Sequence, residues 1–178
     1  MNKGIGGHHS PNRGATDSWI TPPHLVEPLG QFDLDPCECK PQPWKLAAAG
    51  YTIEDDGLRM PWAGRVWLNP PYSNAWEWLA KLATHGRGTA LIFARTETAG
   101  FVSHVWKRST AILFLHGRLH FHHPDGTRAT GNSGGPSCLV AYGNEDAAAL
   151  LSSGIAGSLV FTPSTVRETE VANDPFTP

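Results

Sequence analysis

Long apolar runs are missing from this chain of 178 residues. No stretch approaches the roughly 18 consecutive apolar residues of a membrane-spanning helix, which argues against a membrane protein. Residues 1–16 combine Gly, His, Ser and Asn without an apolar centre, so they are read as a disordered tail and not as a secretory signal. Cysteine is scarce. Three residues, two of them in Cys37-Glu38-Cys39, cannot build a disulfide framework, and a reducing cytoplasmic setting is expected. An excess of either charge is absent too: the net charge is −2, whereas proteins that hold nucleic acid chiefly through phosphates carry a basic surplus. Any binding to DNA must therefore rest on local charge. Residues 104–128 supply the one basic region, with Lys107, Arg108, Arg118 and Arg128 against Asp125, and with five histidines.

Glycine and proline are plentiful, at 19 and 15, and mark many turns. The length suits one domain with a real core, set at residues 17–161 between the tail 1–16 and a second tail 162–178. Thr21 and Pro22 predict the cap and first position of a short helix that Pro28 and Gly30 end. Residues 32–36, Phe-Asp-Leu-Asp-Pro, alternate apolar and acidic side chains and predict a first core strand with its carboxylates near the sheet's carboxyl edge. One or two helical turns are expected over 44–49, and a short strand over 51–56. Asn74 with Glu77 three residues on predicts a capping box, and Glu77–Lys81 a favourable pair, on a helix whose apolar stripe is Trp78, Leu79 and Leu82 and which ends near Gly86. Further strands are expected at 89–94, 111–115, 137–142 and 158–161, with 119–121 extending the second of these. Helices are expected at 99–107 and 145–151, and a mobile loop at 124–136. Strands interleaved with helices predict an α/β fold with a mostly parallel sheet, helices on both faces and an antiparallel strand near the end.

The rest is organised around residues 66–72, Val-Trp-Leu-Asn-Pro-Pro-Tyr. Three apolar residues form a buried strand that stops at a rigid double proline, and open α/β sheets bind ligands at the carboxyl ends of their strands. Pro70 biases Asn69 towards an extended conformation, and each proline ring fixes its own φ. A stiff corner then presents the Asn69 amide, the prolyl carbonyls and the Tyr72 ring. Such a corner suits an amino group held by hydrogen bonds while an aromatic face stacks on the ring that carries it. This stretch resembles the Asn-Pro-Pro-Tyr signature of amino-methyltransferases, which use S-adenosylmethionine. Carboxylates at neighbouring strand ends, Asp33, Asp35 and Asp56, are candidates to hold that donor's hydroxyl or amino groups.

The resemblance extends along the chain. Trp19-x-Thr21-Pro22, Phe32-Asp33-Leu34-Asp35-Pro36-Cys37, Asp56-Gly57-Leu58, Trp62, and then residues 66–72, 90–95, 112–121 and 133–142 are similar to the phage-type DNA adenine-N6 methyltransferases, over about residues 17–143. That resemblance implies a Rossmann-like class I methyltransferase fold, S-adenosylmethionine as donor, and a flipped adenine of double-stranded DNA as acceptor. It implies catalysis by Asn69, Pro70, Pro71 and Tyr72, and a donor site that includes Thr21, Pro22, Asp33, Asp35, Pro36, Asp56 and Asn69. The cytoplasm of a bacterial host cell is the expected setting. The glycine-rich loop usual after the first strand is absent; Pro36-Cys37-Glu38-Cys39-Lys40-Pro41 stands there. With no separate target-recognition domain, DNA contact falls to loops, above all residues 117–136 with Arg118 and Arg128.

Other readings compete. Asn-Pro-Pro-Tyr also serves methylation of RNA adenine or protein glutamine, and a catalytically inactive DNA-binding relative would keep the same motifs. Pro36-Cys37 imitates the nucleophile of cytosine-carbon methyltransferases but lies away from the corner in sequence. Cys37, Cys39, His120, His122 and His123 contain metal-ligand types without a structural-zinc spacing, so no metal is expected.

Overall fold

The computed structural model describes residues 19–163; the expected tail 1–16, and the second tail beyond residue 163, lie outside the described residues. Seven strands are present among them: β1 (Leu34–Asp35), β2 (Ala49–Gly50), β3 (Val66–Leu68), β4 (Gly88–Phe93), β5 (Ala111–Leu115), β6 (Ser137–Tyr142) and β7 (Gly157–Phe161). They form one sheet in the order β2-β1-β3-β4-β6-β5-β7. The pairs β2–β1, β1–β3 and β3–β4 are parallel. β6 runs antiparallel between β4 and β5, and β7 antiparallel beside β5. Two strands therefore reverse, where one was expected, and β1 to β5 all point the same way. Thr162 extends the folded part by one residue beyond the expected boundary: it is buried, and its N–H donates to the Thr110 carbonyl.

β3 and β6 are buried along their whole length, and β4 at all but its last residue, as strands covered on both faces must be. The period of two divides their side chains between two cores. Val66, Leu68, Ala90 and Ile92 meet Trp78, Leu79 and Leu82 of α2 (Ala75–His85). Phe101 and Val105 join them from α3 (Ala99–Phe101), which continues as a π turn through Trp106. Trp67, Leu91, Leu139 and Ala141 face the opposite way, onto Leu25 and Val26 of α1 (Pro23–Val26) and onto Ala147 and Leu150 of α4 (Asn144–Ser152). A buried staple crosses this second side. Arg65 Nε donates to Asp146 Oδ1 at 2.9 Å, its Nη1 donates to the carbonyls of Leu29 and Gln31, and Thr89 Oγ1 donates to the same carboxylate oxygen.

Several local expectations give way to tertiary contacts. Pro22, not Thr21, is the residue before α1, and no side chain caps that helix. Residues 44–49 are not helical, because the backbone runs beside β1: the N–H groups of Ala48, Ala49 and Tyr51 donate to the carbonyls of Phe32, Asp33 and Asp35. The strand is thus Ala49–Gly50, and most of the expected strand 51–56 is a series of turns. Asn74 precedes α2 without forming a capping box; its Oδ1 accepts from Trp78 Nε1 at 3.2 Å. Lys81 turns away from Glu77 to the carbonyls of Gly57, Leu58 and Met60. Residues 119–121 belong to no strand, although neighbouring His122 bridges to Ile20 and Arg128.

β1 has β2 on one side and β3 on the other, both parallel to it. The connection after β1 leads to β2 on one side and that after β3 to β4 on the other, so the two part above the carboxyl ends of β1 and β3. This is the place where an open sheet leaves a crevice.

Candidate active site

The corner after β3 is held from three directions. Pro70 is buried, and Tyr72 opens a 3-10 turn, Tyr72–Asn74, that leads into α2. Asn69 Nδ2 donates to the backbone carbonyl of Trp19 at 2.7 Å. With the amide nitrogen committed, Oδ1 is the group left to accept. The Tyr72 ring lies on Phe93 at the end of β4, with centroids 4.5 Å apart and planes at 12°.

Two cavities flank this corner. The larger, about 580 Å³, is lined by residues 36–40 after β1, by Thr52, Ile53 and residues 56–58, and by Asn69, Pro71, Ser73, Asn74 and Trp78. The smaller, about 230 Å³, is lined by Tyr72, Phe93, Phe121, His123 and residues 129–133. Trp19 lines both. Its ring packs against Phe121 and His123, at centroid distances of 6.4 and 5.2 Å.

The expected donor residues are not all brought together. Asn69, Pro36 and Asp56 line the larger cavity. Asp56 adopts φ 55°, and Gly57 follows because a Cβ there would stand 2.1 Å from the Pro36 carbonyl oxygen. Asp35 lies directly before Pro36, buried, with Oδ1 accepting from the Cys37 N–H at 3.0 Å. Burial raises its carboxyl from 3.8 to about 7, against the lowering effect of that hydrogen bond. Asp33 stands apart and corrects the expectation that both carboxylates share the carboxyl edge. It precedes β1, at the opposite end of the strand, and its Oδ2 accepts from the Arg65 N–H at 2.6 Å. Thr21 and Pro22 are buried behind Trp19 and line neither cavity; the Thr21 carbonyl accepts from Trp44 Nε1. Arg118 and Arg128 are exposed on the segment that walls the smaller cavity.

Trp19 and Phe93 are the residues sequence reading missed. Neither neighbours the corner in sequence. Ile20 and His122 exchange backbone hydrogen bonds, both at 3.0 Å, and this long-range pairing seats Trp19. Ile53 carried a local signal: an apolar residue among polar turn residues, it is 97% exposed at the rim of the larger cavity. Cys37 lines that cavity, but burial pushes its thiol up, away from the thiolate a nucleophile requires. Among the described residues no three His, Cys, Asp or Glu side chains are grouped to hold a metal ion. Nor is any helix there long and apolar enough to cross a membrane.

The family model described as DNA N-6-adenine-methyltransferase (Dam) matches residues 9–160. Among curated proteins and among solved structures nothing matches.

Proposed function

The chain belongs to the DNA N-6-adenine-methyltransferase (Dam) family, and on that premise we propose that it moves a methyl group from S-adenosylmethionine to N6 of an adenine flipped out of duplex DNA. The observation that carries this reading is the Asn69 amide: its nitrogen is tied to the Trp19 carbonyl, and its oxygen is kept as an acceptor beside the larger cavity, one turn from an aromatic pocket. The crevice above β1 and β3 supports a Rossmann-like class I methyltransferase fold.

The larger cavity fits the donor in size, within the ~300–1,000 Å³ of small-molecule sites, and in chemistry. Glu38 and Asp56 offer carboxylates to hydroxyl or ammonium groups, while Ile53, Leu58 and Trp78 offer apolar surface to a purine. Residues 36–40 stand where a glycine-rich loop was missed, and in this reading they hold the donor's methionine end. When bound, S-adenosylmethionine supplies a methyl group already activated by its sulfonium.

An exocyclic amine is a poor nucleophile because its lone pair is delocalised into the ring. Asn69 Oδ1 and the Pro70 carbonyl would accept its two N–H groups and favour a pyramidal nitrogen, leaving its lone pair to take up the methyl group as the donor departs as a neutral thioether. Tyr72 stacks on the base, and Pro71 keeps the corner rigid. Alignment supplies most of the rate gain, as expected where the chemistry is carried by an activated donor. The proton lost from N6 passes to water. Asp35, Pro36, Asp56 and Asn69 line or underlie the donor's place; Thr21 and Pro22 act from behind, through Trp19. Arg118 and Arg128 meet DNA phosphates, and the cytoplasm of a bacterial cell is where such a substrate is found.

Tritium transfer from labelled donor to DNA, RNA and protein tests the reading. Label in DNA as N6-methyladenine, lost in Asn69→Ala, is expected. Label confined to RNA or protein overturns it. Sequencing of methylated DNA from cells expressing the protein then gives the recognition site.

A further inference from the structure

We propose that Phe93 is a positioning residue, which fixes the plane of Tyr72 before a base arrives; this rests on the base-methylating reading above. A 3-10 turn sets the Tyr72 backbone, and the side-chain bonds of any tyrosine admit several ring orientations. The ring is nevertheless laid flat on Phe93, 4.5 Å between centroids and 12° between planes. Phe93 is itself held firmly. It pairs with Ser137 in the β4–β6 register, and its carbonyl accepts from the Arg95 N–H. The Arg95 guanidinium carbon lies 5.9 Å from the Phe93 centroid. On another side the backbone of Gly135 closes on the ring, so near that an added Cβ would stand 3.1 Å from Phe93 Cδ1.

Both rings edge the smaller cavity. A third ring cannot enter between them, since that needs about twice the separation of one stacked pair. Phe93 therefore backs Tyr72 and is not a second jaw around the base. Tyr72 meets an incoming base with its orientation already set, which lowers the ordering cost of capture. This role explains why an aromatic residue ends a strand whose other side chains are aliphatic or small.

The chain has three tyrosines, so 3-fluorotyrosine labelling gives three fluorine resonances, and Tyr72→Phe identifies the one from Tyr72. In Phe93→Leu that resonance is expected to shift and narrow towards the value of a freely rotating tyrosine, while the other two stay in place. Methyl transfer to DNA is expected to fall about 10- to 100-fold in kcat with donor affinity unchanged. Phe93→Tyr, which keeps the stack, restores both. An unmoved Tyr72 resonance in Phe93→Leu overturns the proposal, and so does full activity. If the wild-type protein methylates no DNA, the function reading fails, and the fluorine spectra still decide the role of Phe93.

Discussion

The two ends of the Asn69 amide do opposite things. Nitrogen donates to Trp19, and oxygen is left to accept from the proposed amine. Asn69→Asp keeps the size but sets a carboxylate oxygen against the Trp19 carbonyl, and Asn69→Ala removes both functions. Each is expected to lower methyl transfer by about 100- to 1,000-fold with circular dichroism unchanged, the usual cost of removing one aligned polar group from a reacting centre. Asp35 makes a different prediction. Its folded pKa of about 7 exceeds the ordinary 3.8 of an aspartate, so between about pH 4 and pH 7 the native state keeps a proton that the unfolded chain releases. Stability is full below that window and falls as pH rises through it, by at most on the order of 4 kcal/mol. Asp35→Asn should flatten the dependence of the urea midpoint on pH; an equally steep curve would refute the assignment. Asn69 and Tyr72 were legible in the sequence because a rigid double proline carries local meaning. Trp19 was not, because its carbonyl acts across fifty positions of chain.

Among the elements, α2 does more than cover the sheet. Lys81 Nζ reaches the carbonyls of Gly57, Leu58 and Met60 and sits 4.7 Å from the centroid of a Trp62 ring, so the helix clamps the loop that carries Asp56. Lys81→Met should weaken donor binding several-fold by calorimetry, with little change in kcat at saturating donor. The Arg65–Asp146 staple ties α4 and the 3-10 turn after α1 to the sheet, at the edge opposite the cavities. Arg65→Met leaves Asp146 buried without its cation and should cost about 3–5 kcal/mol in chemical denaturation, sparing donor affinity per folded molecule. β3, β4 and β5 could be read from the sequence as short apolar runs bounded by turn residues, and α2 from its period of 3.6. β1 falls inside the strand expected over 32–36, read from the alternation of apolar and acidic residues, whereas β2 has two residues, too few for any period, and is defined by its pairing with β1. The same brevity led to the helical reading of residues 44–49.

At the scale of the whole molecule, the net charge of −2 hides an arrangement. Arg87 pairs with Glu145 at the amino edge of the sheet, and Lys40 and Lys45 pair with Glu54 and Glu38. Arg118 and Arg128 form no ion pair among the described residues and stand beside the smaller cavity, at the carboxyl edge. Replacing either by Ala should weaken DNA binding across sequences and reduce the slope of log K against log salt by about one. Lys107→Ala, just before β5 at the opposite edge, should leave that slope unchanged. The α/β class was legible from the alternation of elements, whereas the insertion of β6 between β4 and β5 was not, because strand order leaves no mark in a local pattern. That insertion also imposes a timetable on synthesis. β4 and β5 leave the ribosome first but never touch as neighbours, and the strand that joins them is complete only at Tyr142. A nascent chain halted at residue 136 holds two unconnected parts of a sheet, with exposed edges that invite misassembly. Pulse proteolysis of stalled chains should find protection of β4 only once residues 137–142 have emerged, so six late residues decide whether the strands made before them survive.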